Sequence, residues 1–443
     1  MPYKIASLDV HKANLAAVNS DVGVVGEFEF ERRQFGTTDG ALHQLVDWLI
    51  EQQVDEVVME STAQYWKPVW AALERYWKPV VQKREGARAT TGSLHLAQAQ
   101  SNRARRGRKR DFTDAERLLK RLVANELVLS LVPDPEQRLW RTITRAKKQQ
   151  IGHRVQLQNR LEALLEEAYI KLSCFVSDLL GVSARRMLKA LADGEADPEA
   201  VAALADDRLR ATPNQLRDAL GACRELNPVY RRLIKAVLEE LELIDKHLSR
   251  LDQEMADLLR PYQDQVQRLA EVPGLGPDSA QQIMAQVGAT AATFPSGKDL
   301  SSWVGVCPGD NESAGVNSSS RCPKGNRPMR SLLNQAANAA IKYKGGIFQI
   351  IYRRYVSRLG HKQTIGVVAH RLCHIIWKIL HQGVRYEERG PAVSKKSQAP
   401  AHEKNDSGIA KPRLPHRTPG FPGRWCVNRR IFDPVRIRLS KNL

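Results

Sequence analysis

Residues 3–31 read YKIASLDVHKANLAAVNSDVGVVGEFEFE. The first eight alternate apolar and polar side chains into a short strand that carries an acid, Asp9, close to its end. The following LAAVNSDVGVVGEFEFE predicts two further strands around a Gly-containing turn. Beyond it, LHQLVDWLIEQ (42–52) has helical spacing, and VDEVVMES (54–61) is a buried strand ending in an acid, Glu60. YWKPVWAALERYW (65–77) returns to helix, where Pro68 is tolerable only in the first turn. Strands alternating with helices predict an α/β unit over residues 1–135, a mixed sheet covered by helices. Tyr65, Trp66, Trp70 and Trp77 fall at helical spacing and predict a core stripe rather than a base-stacking platform.

The remainder is predicted mainly helical. After RARRGRKR (Arg103–Arg110), DFTDAERLLKRLVANELV (111–128) forms an amphipathic pattern. In 136–260, two long runs, 139–172 and 227–259, have charged outer faces and predict an antiparallel coiled-coil pair, a spacer or oligomerisation arm. A third unit, 261–386, opens on LAEVPGLGPDSAQQIMAQVG, a helix–turn–helix with the helix-hairpin-helix signature. There Gly274 and Gly276 would let backbone N–H groups approach a phosphate. A polar, Ser-rich loop, NESAGVNSSSRCPKGN (311–326), precedes RPMRSLLNQAANAAI and two more helical stretches at 342–359 and 364–383. The tail from 387 is Pro-rich and basic without periodicity, and reads as disordered.

With 68 Lys and Arg against 49 Asp and Glu, the net charge is +19, which suits a polyanionic partner because neutralised phosphates release counterions. The length allows roughly three domains. No apolar run approaches a bilayer span, and the N-terminus lacks the apolar core of a signal peptide. Six scattered cysteines without C-x-x-C spacing argue against zinc and for a reducing, cytoplasmic setting.

Four acids stand out by placement: Asp9 on the first strand, Glu60 at the end of a later one, and Asp111 and Asp114 three apart on one face of a helix start. Taken singly, the helix pair reads as capping and Asp9 as a surface acid. Together they follow the order of a ribonuclease H-like site, whose oxygen ligands suit Mg²⁺ or Mn²⁺. His11 and Lys12 beside Asp9 could touch phosphate but read foremost as exposed side chains.

SLDVHK, MESTAQYWKPVW and GRKRDFTDAERL, followed downstream by VPGLGP and CPGDNESAGVNSSSRCPKGNRPMRSLL, resemble the IS110/IS1111 family of insertion-sequence transposases. The resemblance covers about residues 3–385; each motif alone is weak and the ordered set is specific. It implies a RuvC-like DEDD domain, a coiled coil and a C-terminal transposase domain with an essential serine. Carried over by motif, the metal-binding acids fall on Asp9, Glu60, Asp111 and Asp114, and the serine on Ser313, not on Ser318, Ser319 or Ser320. Glu312 and Asp310 are the acids near Ser313 in sequence, so the resemblance implies a composite site in which the metal domain of the same or another protomer activates the hydroxyl. Arg103, Arg105, Arg106, Arg108, Lys109 and Arg110 are expected on nucleic acid, as are Lys324, Asn326 and Arg330, with Gly315 and Gly325 shaping the loop. The resemblance further implies DNA partners (element ends or a circular junction, and a target), an element-encoded guide RNA, and homodimers assembling into a tetramer, in a prokaryotic cytoplasm on the nucleoid. The basic tail has no counterpart in the family. A RuvC-like nuclease using water, with Ser313 structural, is the alternative, and a decayed copy that only binds nucleic acid is a second.

Overall fold

The computed structural model describes residues 3–22, 28–60, 63–84, 92–99, 111–308, 311–313, 316–319 and 321–388. Arg103–Arg110, Gly315, Ser320 and the tail from 389 lie outside the described residues. The chain forms two compact units, divided between Pro133 and Asp134.

The first unit runs β1 (Tyr3–Val10), β2 (Asn14–Val22), β3 (Glu31–Gly36), α1 (Asp39–Glu51), β4 (Glu56–Glu60), α2 (Trp66–Ala72), α3 (Lys78–Gln82), β5 (Ser93–Ala97), α4 (Asp111–Val123) and β6 (Leu129–Ser130). The strands form one mixed sheet in the order β3-β2-β1-β4-β5-β6. β1 pairs antiparallel with β2 and parallel with β4, and β4 pairs parallel with β5. Strand alternation sorts the two faces. Ala6, Leu8 and Val10 of β1 and Val57 and Met59 of β4 join one core with α1, Trp70, Trp77 and Val81. Ser7 and Asp9, and Val58 and Glu60, therefore point the other way, and that face is covered by α4 through Ala115, Leu118 and Leu119.

Several boundaries differ from the sequence expectation. The third strand starts at Glu31, where the expected one ended. Helix continues past Trp77 to Gln82, with a single π-helical turn at Leu73–Trp77 just before Pro79. Proline lacks the N–H and its ring crowds the carbonyl four residues back, so widening that turn keeps the helix going. The helix expected to reach 128 stops at Val123, because Asn125 takes a left-handed φ of 56° and Glu126 N–H closes on the Arg121 carbonyl. The freed chain then supplies the two-residue edge strand β6 against β5, a pairing too short to show in the sequence. Trp70 and Trp77 are buried in the core, as the stripe predicts, while Tyr65 is exposed.

Among the described residues the second unit is helical apart from one hairpin. It comprises α5 (Pro135–Glu167), α6 (Val182–Asp193), α7 (Pro198–Ala202), α8 (Pro213–Ala219), α9 (Pro228–Leu258), α10 (Gln263–Ala270), α11 (Pro277–Val287), α12 (Gly297–Val304), β7 (Asn311–Ser313), β8 (Val316–Ser319), α13 (Arg327–Ala340) and α14 (Ile347–Gln382). The long helices α5 and α9 run antiparallel: Lys147 pairs with Asp252, and Arg154, seven residues on, pairs at 3.0 Å with Asp245, seven residues back. Their ends enter two separate cores. Trp140, Ile143, Met255 and Leu259 pack with α10–α14, whereas Leu161, Leu165, Ile234 and Val237 pack with α6–α8. Between these ends α9 buries Leu241 and Ile244, whereas α5 buries no residue between Ile143 and Leu161, and its Ile151 and Val155 are exposed. α14 breaks at Gly360, whose φ of 74° is non-helical, giving the two stretches the sequence predicts. Among the described residues no helix is long and apolar enough to cross a membrane.

Candidate active site

The site begins with Ser7. Fully buried on β1, its hydroxyl donates to the Ala115 carbonyl at 2.7 Å and so fixes α4 over this face of the sheet. Asp9 lies two residues on, on the same face, beside the first turn of α4 that carries Asp111 and Asp114. Leu8 pairs with Met59 in parallel register, so the next residues, Asp9 and Glu60, end neighbouring strands side by side.

The charges of Asp111, Asp114 and Glu60 all bear on Asp9. Burial, with Asp111, Asp114 and Glu60 adding negative charge, pushes the Asp9 carboxyl up to about 6, against the lowering pull of His11. The Asp9 side chain is only 19% exposed. His11 Nε2 lies 3.5 Å from Asp9 Oδ2 and 3.4 Å from Asp111 Oδ1. Ligand atoms of Asp9, His11 and Asp111 all fall within 4.8 Å of one another. Asp114 also accepts from Arg117 Nη1 at 2.6 Å, one turn along α4. A DEDD domain implies a divalent cation, and this donor set fits one: clustered carboxylates with hard oxygen donors, whose repulsion at Asp9 is offset only in part by His11. His11 is exposed, as the sequence reading has it, and is the member of the cluster that reading did not place there. Its signal was its place, two residues past Asp9 in the tight turn where His11 N–H bonds the Asn14 carbonyl.

The second unit holds the other candidates. Ser313 ends β7 and pairs with Val316 across a two-residue connection, so the stretch expected as a loop is a hairpin with Ser313 beside its tip. Ser318 and Ser319 lie on β8. Gly325 (φ +47°) abuts the Val304 carbonyl, and a Cβ on Gly305 would stand 2.7 Å from the Pro323 carbonyl, so the segment after the hairpin stacks on the end of α12. Asn326 caps α13, accepting from Met329 N–H at 2.9 Å and donating to Gln286 Oε1 at 3.2 Å. Arg330 Nη1 donates to the Pro323 carbonyl at 3.0 Å, and Lys324 is exposed. Of the two turn glycines, Gly274 (φ +86°) lies against α13, where a Cβ would collide with the Ala336 carbonyl and sit 2.7 Å from the Ala340 nitrogen. Helix packing thus accounts for Gly274, while Gly276, the N-cap of α11, has open space around it.

A mixed sheet with acids at the ends of two parallel strands and on the covering helix fits a RuvC-like DEDD domain, a metal-dependent class acting on nucleic acid. Comparison with known proteins agrees. Residues 6–170 match the DEDD transposase family model of IS110 elements, and residues 266–353 match the model described as transposase IS116/IS110/IS902 family. A Pseudomonas aeruginosa protein named as a family 20 transposase is 23% identical over 286 residues, 63% of this chain and 75% of its own. A Sinorhizobium fredii protein named as a transposase, y4pF/y4sB, is 27% identical over 126 residues, 27% of this chain and 32% of its own. The two family matches together span more than half of the 443 residues, and the chain belongs to the IS110 family of transposases, enzymes acting on DNA.

Proposed function

We propose that this chain is the recombinase of an insertion sequence, excising and inserting its element by strand cleavage and exchange through a covalent Ser313–DNA intermediate. The observation that carries the reading is the crowding of Glu60, Asp111 and Asp114 around a carboxyl, Asp9, that burial already drives toward neutrality. Anions gathered where charge is disfavoured call for a cation. Asp9, Glu60, Asp111 and Asp114 would hold Mg²⁺ or Mn²⁺, which when bound offsets charge on the phosphodiester oxygens.

The chain's own part is the acceptor. Ser313 Oγ forms a bond to phosphorus and gives up its proton, and the strand's leaving oxygen departs as a hydroxyl. An incoming strand hydroxyl reverses these bonds, so phosphodiester energy is kept and no nucleotide cofactor is consumed. No Asp or Glu occurs from Ser313 to Tyr386, so no carboxylate within that stretch accepts the proton. Arg103, Arg105, Arg106, Arg108, Lys109 and Arg110, the exposed Lys324, Arg330, and the backbone at Gly276 serve as phosphate contacts. An element-encoded guide RNA directs the choice of DNA, and dimers assemble into a tetramer in the prokaryotic cytoplasm. Exposed Ile151 and Val155, one turn apart on α5, support assembly along the two-helix arm.

The test incubates labelled element-end DNA with the protein and Mg²⁺ and looks for a denaturant-resistant protein–DNA band. Wild type should form it, and Ser313→Ala should not while still binding DNA. A band that survives Ser313→Ala moves the nucleophile elsewhere. Cleavage without any band makes hydrolysis by water the better reading.

A further inference from the structure

From Ser313 to Tyr386 the chain carries 13 Lys and Arg and no acid. Several basic side chains of the second unit are balanced: Lys147, Arg154 and Arg185 on the helices of the arm and its small core all have carboxylate partners. The first half of α14 is different. Ile347, Phe348 and Ile351 bury its first turns in the core; Arg354 and Arg358 continue the Ile347–Ile351 stripe past the point where it is buried and stand exposed, as does Arg353 on another side. Among the described residues none of these three arginines forms an ion pair, nor does the exposed Lys362 just past the Gly360 break. The exposed Lys342 and Lys344 extend the same sign of charge before the helix begins.

The arginines are organised as well as unpaired. The guanidinium carbons of Arg354 and Arg358 lie 5.8 and 5.7 Å from the centroid of the Tyr355 ring, so one half-buried aromatic holds two cations. Tyr352 and His361 are joined by a 2.9 Å hydrogen bond between the phenol oxygen and Nδ1, which spans the Gly360 break and ties the two parts of the helix together. A surface that only needed solubility would gain little from fixing these side chains. Residues 354 and 358 are about 6 Å apart along the helix, one turn from each other, so their side chains can reach neighbouring phosphates of one strand.

We propose that the exposed edge of α14 at Arg353, Arg354 and Arg358 is a docking surface for the sugar–phosphate backbone of duplex DNA. It is distinct in sequence from the Ser313 hairpin and from Arg103–Arg110, and it rests on the reading of the chain as a DNA recombinase. Its contacts go to phosphates, so it positions the duplex without reading sequence. Each phosphate contact contributes about 0.9 to the dependence of log affinity on log salt.

The experiment measures binding of a labelled duplex of random sequence to the full chain by fluorescence anisotropy across a salt series. Two double variants remove the same charge: Arg354→Gln with Arg358→Gln, and Arg208→Gln with Arg210→Gln on an exposed segment of the small helical core. The α14 pair should lower the salt slope by about two and weaken binding by on the order of 10- to 100-fold at 0.1 M salt. The Arg208/Arg210 pair should leave both near wild type, and Arg354→Lys with Arg358→Lys should restore most of the slope. Equal effects of the two glutamine pairs mean general charge rather than docking, and overturn the proposal. Unchanged DNA binding with lost binding of a labelled RNA hairpin also overturns it, reassigning the edge to RNA. A wild-type chain that binds no duplex at low salt refutes the recombinase reading itself.

Discussion

The acid cluster of the first unit and the loop region around Ser313 in the second stand in opposite physical conditions. Asp9 sits where burial and three neighbouring carboxylates work against its charge. Gly274 and Asn326 sit where packing and a helix cap account for them. A residue kept at an electrostatic cost points to a function that uses it, whereas a satisfied residue is explained by the fold alone. The first region is therefore read from its strain, and the second needs chemistry to separate the acceptor from its scaffold.

The largest expected effect breaks or upholds that contrast directly. Asp9→Asn should abolish strand cleavage, by at least about 10³-fold, yet raise the melting temperature of metal-free protein at pH 7 because a repelled charge is gone. A lowered melting temperature would make Asp9 a structural acid. Ser313→Ala should lose cleavage to a similar extent with no gain in stability, and Ser319→Ala should retain activity within a few-fold.

Glycine substitutions sharpen the other side. Gly274→Ala forces a Cβ into the α13 backbone at a left-handed φ and should cost about 2–4 kcal/mol in denaturant unfolding. Gly276→Ala meets no atom within 4 Å and should stay within about 1 kcal/mol. If it also weakens DNA binding, the backbone at Gly276 is a phosphate contact. Equal destabilisation by the two would remove the distinction.

The acid cluster also makes a pH prediction. A carboxyl raised from 3.8 to about 6 opposes folding once ionised. That penalty is absent below about pH 4, grows through the window, and is complete above about pH 6, to at most about 3 kcal/mol. Chelated protein should therefore gain stability from Asp9→Asn at pH 7 and almost none at pH 4, as thermal melts would show. In the same window protons compete with a cation for Asp9, so Mn²⁺ affinity by calorimetry should fall about tenfold per pH unit below 6. The smallest effect belongs to Asn326→Ala, which removes the α13 cap and should cost about 1 kcal/mol in unfolding. If it abolished DNA binding while costing no stability, Asn326 would be a ligand contact rather than a cap.

The sequence by itself determined whatever rests on local periodicity and on punctuation by special residues. Strands at 3–10 and 56–60, the helix at 39–51, the two long helices and the break before residue 364 follow from alternation, 3.6-residue spacing and Gly or Pro placement, all of which act over a few residues. The candidate acids were also readable, because each sits at the end of a periodic segment. Only the tertiary structure decided which side chains meet. The strand order sets β1 beside β4, and one buried hydroxyl, Ser7, pins α4 108 residues away over the face that carries Asp9. That docking brings His11 between Asp9 and Asp111. Within the second unit, helix packing sets Gly274 against α13 and leaves the arginines of α14 exposed. Such meetings depend on distances across the fold, and a linear pattern carries no information about a distance until the chain has packed.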